Sequence, residues 1–87
     1  MEYRIDGSRI RSRQEAHEEI ARAMQFPEYY GKNLDALWDM LTTTSGMAVM
    51  TGVSGMLNAV GGYGCRILKT FYDAAEENSR FEFKVED

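Results

Sequence analysis

At 87 residues the chain has room for one small domain, which buries only about 60 to 65% of its unfolded surface and so supports a single modest core. With 44% hydrophobic and 28% charged residues it is neither fibrous nor disordered, and its net charge of −4 opposes binding to a phosphate backbone and favours a cationic partner. The charge is uneven: six acids balance six bases through Lys32, whereas eight acids face four bases from Asn33 onward.

Tyr3 and Ile5 alternate with Glu2, Arg4 and Asp6, which predicts a short half-buried strand closed by an Asp6-Gly7 turn. Ser12-Arg13-Gln14-Glu15 has the form of a capping box, and Ala16, Ile20, Ala23 and Met24 give the stripe of a helix from Arg13 to about Gln25. After Pro27 and Gly31 punctuate a loop, Leu34, Leu37, Trp38 and Leu41 recur at helical spacing behind Asn33, a good N-cap. Met47 to Met50 is a continuous apolar run between Gly46 and Gly52, the pattern of a strand buried on both faces.

From Met40 to Cys65 no residue is charged, yet glycines and hydroxyl residues break the run into pieces too polar to span a membrane. The pattern there predicts a Ser54-capped helical turn to about Val60, then a glycine loop from Gly61 to Gly64. Ile67, Leu68, Phe71, Ala74 and Ala75 mark a last helix ended by Asn78-Ser79, and Phe81, Phe83 and Val85 alternate as a final strand. Strands separated by helices imply right-handed crossovers and a parallel sheet. The apolar middle strand belongs at the centre and the alternating ones at the edges, giving order 1-2-3 in one α/β domain over residues 1–87.

Enzymatic chemistry finds little to stand on. His17 is the only histidine and lacks the second histidine of a zinc-protease helix, so it reads as a packed, hydrogen-bonded residue. Cys65 beside Arg66 has no evident base, and Gly52 to Gly64 lacks the spacing of a phosphate-binding loop. Glu28, Asp35 and Asp39 bring no further ligands for a hard cation, and Arg4, Arg9, Arg11 and Arg13 lie among acids rather than in a basic patch. The expectation is no catalytic residue, no metal, no cofactor, and no nucleic-acid or membrane partner. A single cysteine excludes an intrachain disulfide, and the opening residues hold no signal peptide, so a cytoplasmic site is expected.

What stands out is Pro27 to Leu41, Pro-Glu-Tyr-Tyr-Gly-Lys-Asn-Leu-Asp-Ala-Leu-Trp-Asp-Met-Leu. Asp35 and Asp39, four residues apart, project side by side about 40° from each other around the helix axis. Their repulsion costs the helix roughly 0.2 to 0.5 kcal/mol, so helix stability does not explain them. Paired carboxylates edged by Trp38 and Tyr29 have the composition of a protein interface.

This run resembles the barstar family of intracellular ribonuclease inhibitors, with weaker agreement at Asp6-Gly7, Ile10-Arg11-Ser12, His17, Met47 to Thr51 and around Phe71, Asp73 and Ala74. The resemblance implies a two-layer barstar-like fold, its three-stranded parallel sheet in order 1-2-3 packed against helices. It also implies an immunity-type inhibitor, monomeric when free, of a small basic extracellular-type, barnase-like ribonuclease. In that role Asp39 mimics an RNA phosphate, Asp35 binds an adjacent group, Tyr29 packs on the catalytic region, and Asn33 and Trp38 frame the contact. Thr42, Thr43 and Thr44 continue the surface, and Asp73 stands where the family has glutamate. The family's best-known member continues with glycine and tryptophan at the positions of Thr43 and Thr44, so an aromatic contact is lost here. Two other readings fit the residues: an adaptor that binds a basic non-nuclease protein through the same acidic face, and a small RNA-binding domain using the arginine-rich first third.

Overall fold

The computed structural model describes residues 1–87. In chain order it comprises β1 (Glu2–Asp6), a 3-10 turn (Gly7–Arg9), α1 (Arg13–Met24), α2 (Leu34–Leu41), β2 (Gly46–Thr51), α3 (Val53–Val60), α4 (Gly62–Glu77) and β3 (Phe81–Val85). The three strands are parallel, as the crossovers imply, and in the order β1-β2-β3 expected from the apolar middle strand. Ser12 caps α1 by accepting from the Glu15 amide, but the Glu15 carboxylate bonds the Arg11 amide, one residue before the reciprocal partner of a full capping box.

The helical layer covers one face of the sheet. Ile5, Ala48, Met50 and Phe81 join Ile20, Leu37, Leu41, Met56, Ile67 and Phe71 in one core. Val49 is only 1% exposed yet stands outside that core, because alternation turns it to the other face. Its partners in register are Arg4 and Lys84. Arg4 pairs with Glu2 and Glu86, and Lys84 with Glu86, so aliphatic stems beneath a charged lattice shield Val49. The middle strand is therefore buried on both faces as its apolar run predicts, but charged side chains rather than a second helical layer cover the outer face.

The uncharged segment differs from its prediction. Gly52, in the left-handed region at φ 62°, precedes α3, and Ser54 lies inside the helix without capping it. Only Gly61 forms the corner between α3 and α4; Gly62 to Gly64 make the first turn of α4 instead of a loop. A Cβ on Gly64 would lie 3.0 Å from Leu57 Cδ2 and 3.2 Å from Val60 Cγ2, so glycine here lets two helices approach closely.

One polar contact joins three parts of the helical layer. His17 on α1 is 1% exposed; its Nδ1 lies 2.6 Å from the Tyr30 hydroxyl and its Nε2 2.7 Å from the Tyr63 hydroxyl. A neutral imidazole offers one donor and one acceptor, and two rotatable phenols satisfy both. Burial holds the His17 pKa below its ordinary value and raises that of Tyr30, so the neutral forms are the folded ones.

This packing sets three expectations. Because the His17 pKa is lowered on folding, the unfolded chain takes up the proton first as pH falls below about 6.5. Stability should decline from there down to the folded pKa with a slope of at most about 1.4 kcal/mol per pH unit, and His17→Gln should flatten it. Glu19, whose pKa is lowered by Arg22 and the Asp6 amide against the opposing effect of burial, should cost stability only below its ordinary 4.5. Urea titrations across pH separate the two windows. Phe71, wholly buried and 4.5 Å from the Phe83 ring, should cost roughly 3 to 5 kcal/mol when cut to alanine, read in the same titration.

Candidate partner-binding surface

The loop before α2 is shaped by what it buries. Gln25 at φ 58° ends α1, and the Tyr30 amide donates to the Pro27 carbonyl in a tight turn. Tyr30 points inward to His17 and packs on Phe26, with ring centroids 4.9 Å apart. Its neighbour Tyr29 is thereby turned outward and is 84% exposed. Between this loop and α2 runs a groove of about 170 Å³ lined by Tyr29, Tyr30, Gly31, Ala36, Asp39 and Met40.

α2 is fastened at both ends. Asn33 accepts from the Ala36 amide at 2.7 Å, the N-cap its sequence position predicts. At the other end the Thr42 hydroxyl donates to Trp38 O and Asp39 O, that of Thr43 to Asp39 O and Met40 O, and that of Thr44 to Met40 O at 2.7 Å. Leu41 O accepts from the Thr44 amide and from Asn78 Nδ2. Neutral groups thus satisfy every one of the four carbonyls that a helix end leaves open. No basic residue lies in the last turn, so nothing there offsets the negative end of the helix dipole.

Leu37 and Leu41 point into the core and Trp38 packs partly buried against it. Asp35 and Asp39 therefore occupy the exposed face, between the Trp38 edge and the Ala36 and Met40 edge at about 100° per residue. None of the ion pairs includes either carboxylate. The nearest base in sequence, Lys32, lies 3.6 Å from Glu18 on α1. The structure brings Tyr29 and Asp39 to one groove and sets Asp35 one turn away. Asp73 sits on α4, which packs on α2, and its carboxylate is already 2.9 Å from Lys69 Nζ.

Some contributors were missed by sequence reasoning. Ala36 and Met40 line the groove on the stripe next to Asp39, which helical phase alone could have shown. Asn78, read only as the end of a helix, reaches Leu41 across 37 positions, a contact without local signal. A larger groove of about 380 Å³ lies behind the loop against α1, but Glu18, Arg22, Glu28 and Lys32 give it mixed charge and no nucleophile with a base. No group of three or more His, Cys, Asp or Glu side chains is placed to hold a metal, and no helix is long and apolar enough to cross a membrane.

A protein of Bacillus subtilis (strain 168) named "Putative ribonuclease inhibitor YrdF" is 33% identical to this chain over 84 residues, covering 93% of this chain and 91% of that protein. The family model described as barstar, barnase inhibitor, matches residues 1–87. With that match along its whole length, over three parallel strands and the acidic second helix, the chain belongs to the barstar family.

Proposed function

We propose that the protein inhibits a small basic, barnase-like ribonuclease by placing α2 and the Tyr29 loop in its active site. A ribonuclease must hold a phosphodiester with cationic side chains, and it presents that cleft to any rigid anion of the right spacing. Asp39 at the groove takes the place of a phosphate, Asp35 meets an adjacent basic or backbone group, and Tyr29 packs on the catalytic region. Trp38 and Asn33 frame the contact, and Thr42 to Thr44 with Asp73 form its margin. The observation that carries this reading is two exposed carboxylates on one helix face, without an internal counter-charge, beside an aromatic ring that its own chain leaves 84% exposed. Family membership and the name of the Bacillus subtilis relative support it. So does the acidic balance from Asn33 onward, which draws a basic enzyme and repels RNA.

The lattice of paired charges on the outer sheet face contrasts with this surface. There Arg4, Lys84, Glu2 and Glu86 satisfy one another, so a cation arriving gains little. On α2 it meets carboxylates whose only competitor is water.

The test is a titration of a small basic microbial ribonuclease with the protein at low and high salt. Near-stoichiometric inhibition is expected, with association slowed roughly tenfold or more between about 0.05 and 0.5 M salt as the charges are screened. Asp39→Ala should leave the fold and thermal midpoint intact, and remove about 3 to 5 kcal/mol of binding by stranding the enzyme's buried cations. Binding to basic proteins with no loss of nuclease activity would point to an adaptor instead.

A further inference from the structure

We infer that Asn78, at the far end of α4, is a positioning residue for the inhibitory surface: its side-chain amide clamps the C-terminal end of α2 and thereby sets where Asp39 points. The inference rests on the inhibitor reading for its functional half, and on geometry for the rest.

Asn78 is 7% exposed and uses all of its polar groups. Its amide N–H donates to Ala74 O at 2.8 Å and its carbonyl accepts from the Phe81 amide at 3.0 Å, which ends α4 and starts β3. Its Nδ2 donates to Leu41 O at 3.0 Å and to Thr44 O at 2.7 Å, and its Oδ1 accepts from the Arg80 amide at 3.1 Å. The two carbonyls bracket the exit from α2, and both are acceptors, so the site requires two donors from one planar group. Asparagine supplies them together with the acceptor that Arg80 needs. An aspartate of the same shape would set a carboxylate against two carbonyl oxygens, and an alanine would leave both without this partner.

The clamp bears on binding because α2 has only eight residues. A helix of two turns frays at an unfastened end. Asp39 lies two residues before Leu41, inside the turn that would fray. The threonine hydroxyls bond only within the segment from Trp38 to Thr44, so they tighten the turn without tying it to anything else. Asn78 ties that turn to α4 and β3. The Tyr29 loop is held separately, by Tyr30 on His17.

The two anchors predict different couplings. Asn78→Ala should weaken inhibition at least tenfold in the parent and less than twofold in an Asp39→Ala background, measured by direct binding at low salt. Its loss should add independently to that of Tyr29→Ala, and dissociation should quicken while steered association stays within about twofold, since no charge has changed. Phe83→Ala, which loosens α4 against β3 to a similar loss of stability, serves as the control and should leave binding by the folded protein unchanged. Equal loss of affinity from Asn78→Ala with and without Asp39, or none, overturns the inference. Should Asn78→Ala not fold, Asn78→Ser, which is neutral and too short to donate to both carbonyls, is read in its place in a stabilising osmolyte. If no ribonuclease binds the parent, the inhibitor reading fails, and the clamp is then judged by hydrogen exchange. The amides of Met40, Leu41 and Thr42 should lose protection in the variant while those of α1 keep it. Uniform loss, or none, overturns the clamp itself.

Discussion

Two turns of helix cannot hold two like charges in place unaided. α2 is shorter than the length at which isolated helices become marginal in water, and Asp35 and Asp39 repel each other along it. Its order is borrowed from three sources: Leu37 and Leu41 sunk in the core, Asn33 at one end, and the threonines with Asn78 at the other. A cationic cap would have been the simpler means of satisfying the last carbonyls. It would also have placed a positive charge beside Asp39, so the neutral cap fastens the helix without dimming its field.

Net charge describes this molecule poorly, because what matters is which acids remain unpaired. Glu2, Glu18, Glu19, Asp73 and Glu86 are each matched by a base of the same chain, whereas Asp35 and Asp39 are not, and neither are Glu28, Glu76, Glu77 and Glu82. Lys32, one residue from the N-cap of α2, is drawn to Glu18 on α1. The contrast with the outer sheet face shows that the chain pairs its charges readily when they cover apolar surface, as over Val49. Being unpaired does not by itself set α2 apart; what sets it apart is that two such carboxylates share one face of a short helix, with Asp39 in the groove beside the exposed Tyr29 ring, and the inhibitor reading rests on that combination.

Periodicity carried the sequence reading where structure is local. The strand order, the stripe of α2 and the Asn33 cap all follow from residues within a few positions of one another, and the acidic face followed from a spacing of four. Reading failed where a residue's role is fixed by something distant. Glycines at 62 and 64 look like a loop until Leu57 and Val60 are seen against Gly64, where the absence of a side chain permits helix packing. Val49 looks like a residue between two layers until Arg4 and Lys84 appear beside it. Asn78 looks like a helix stop, which it is, and the bonds that matter to α2 come from its side chain across the fold.

These distant ties also narrow where a partner can be recognised. Thr43 and Thr44 direct their hydroxyls back to α2 carbonyls, so the turn from Thr42 to Thr44 offers a partner neither an aromatic face nor a free donor of that kind. Asp73 reaches a partner's base only in competition with Lys69. Exposed pairs of that sort contribute about 0 to 1 kcal/mol, so the competition is mild, yet it lowers what the margin can add. On the proposed inhibitor reading, discrimination among ribonucleases would then fall on the strip from Tyr29 to Asp39, where groove shape and unpaired charge coincide. On that reading an enzyme that fails to match the strip would recover little at the Asp73 margin, because the carboxylate there already has a base of its own chain.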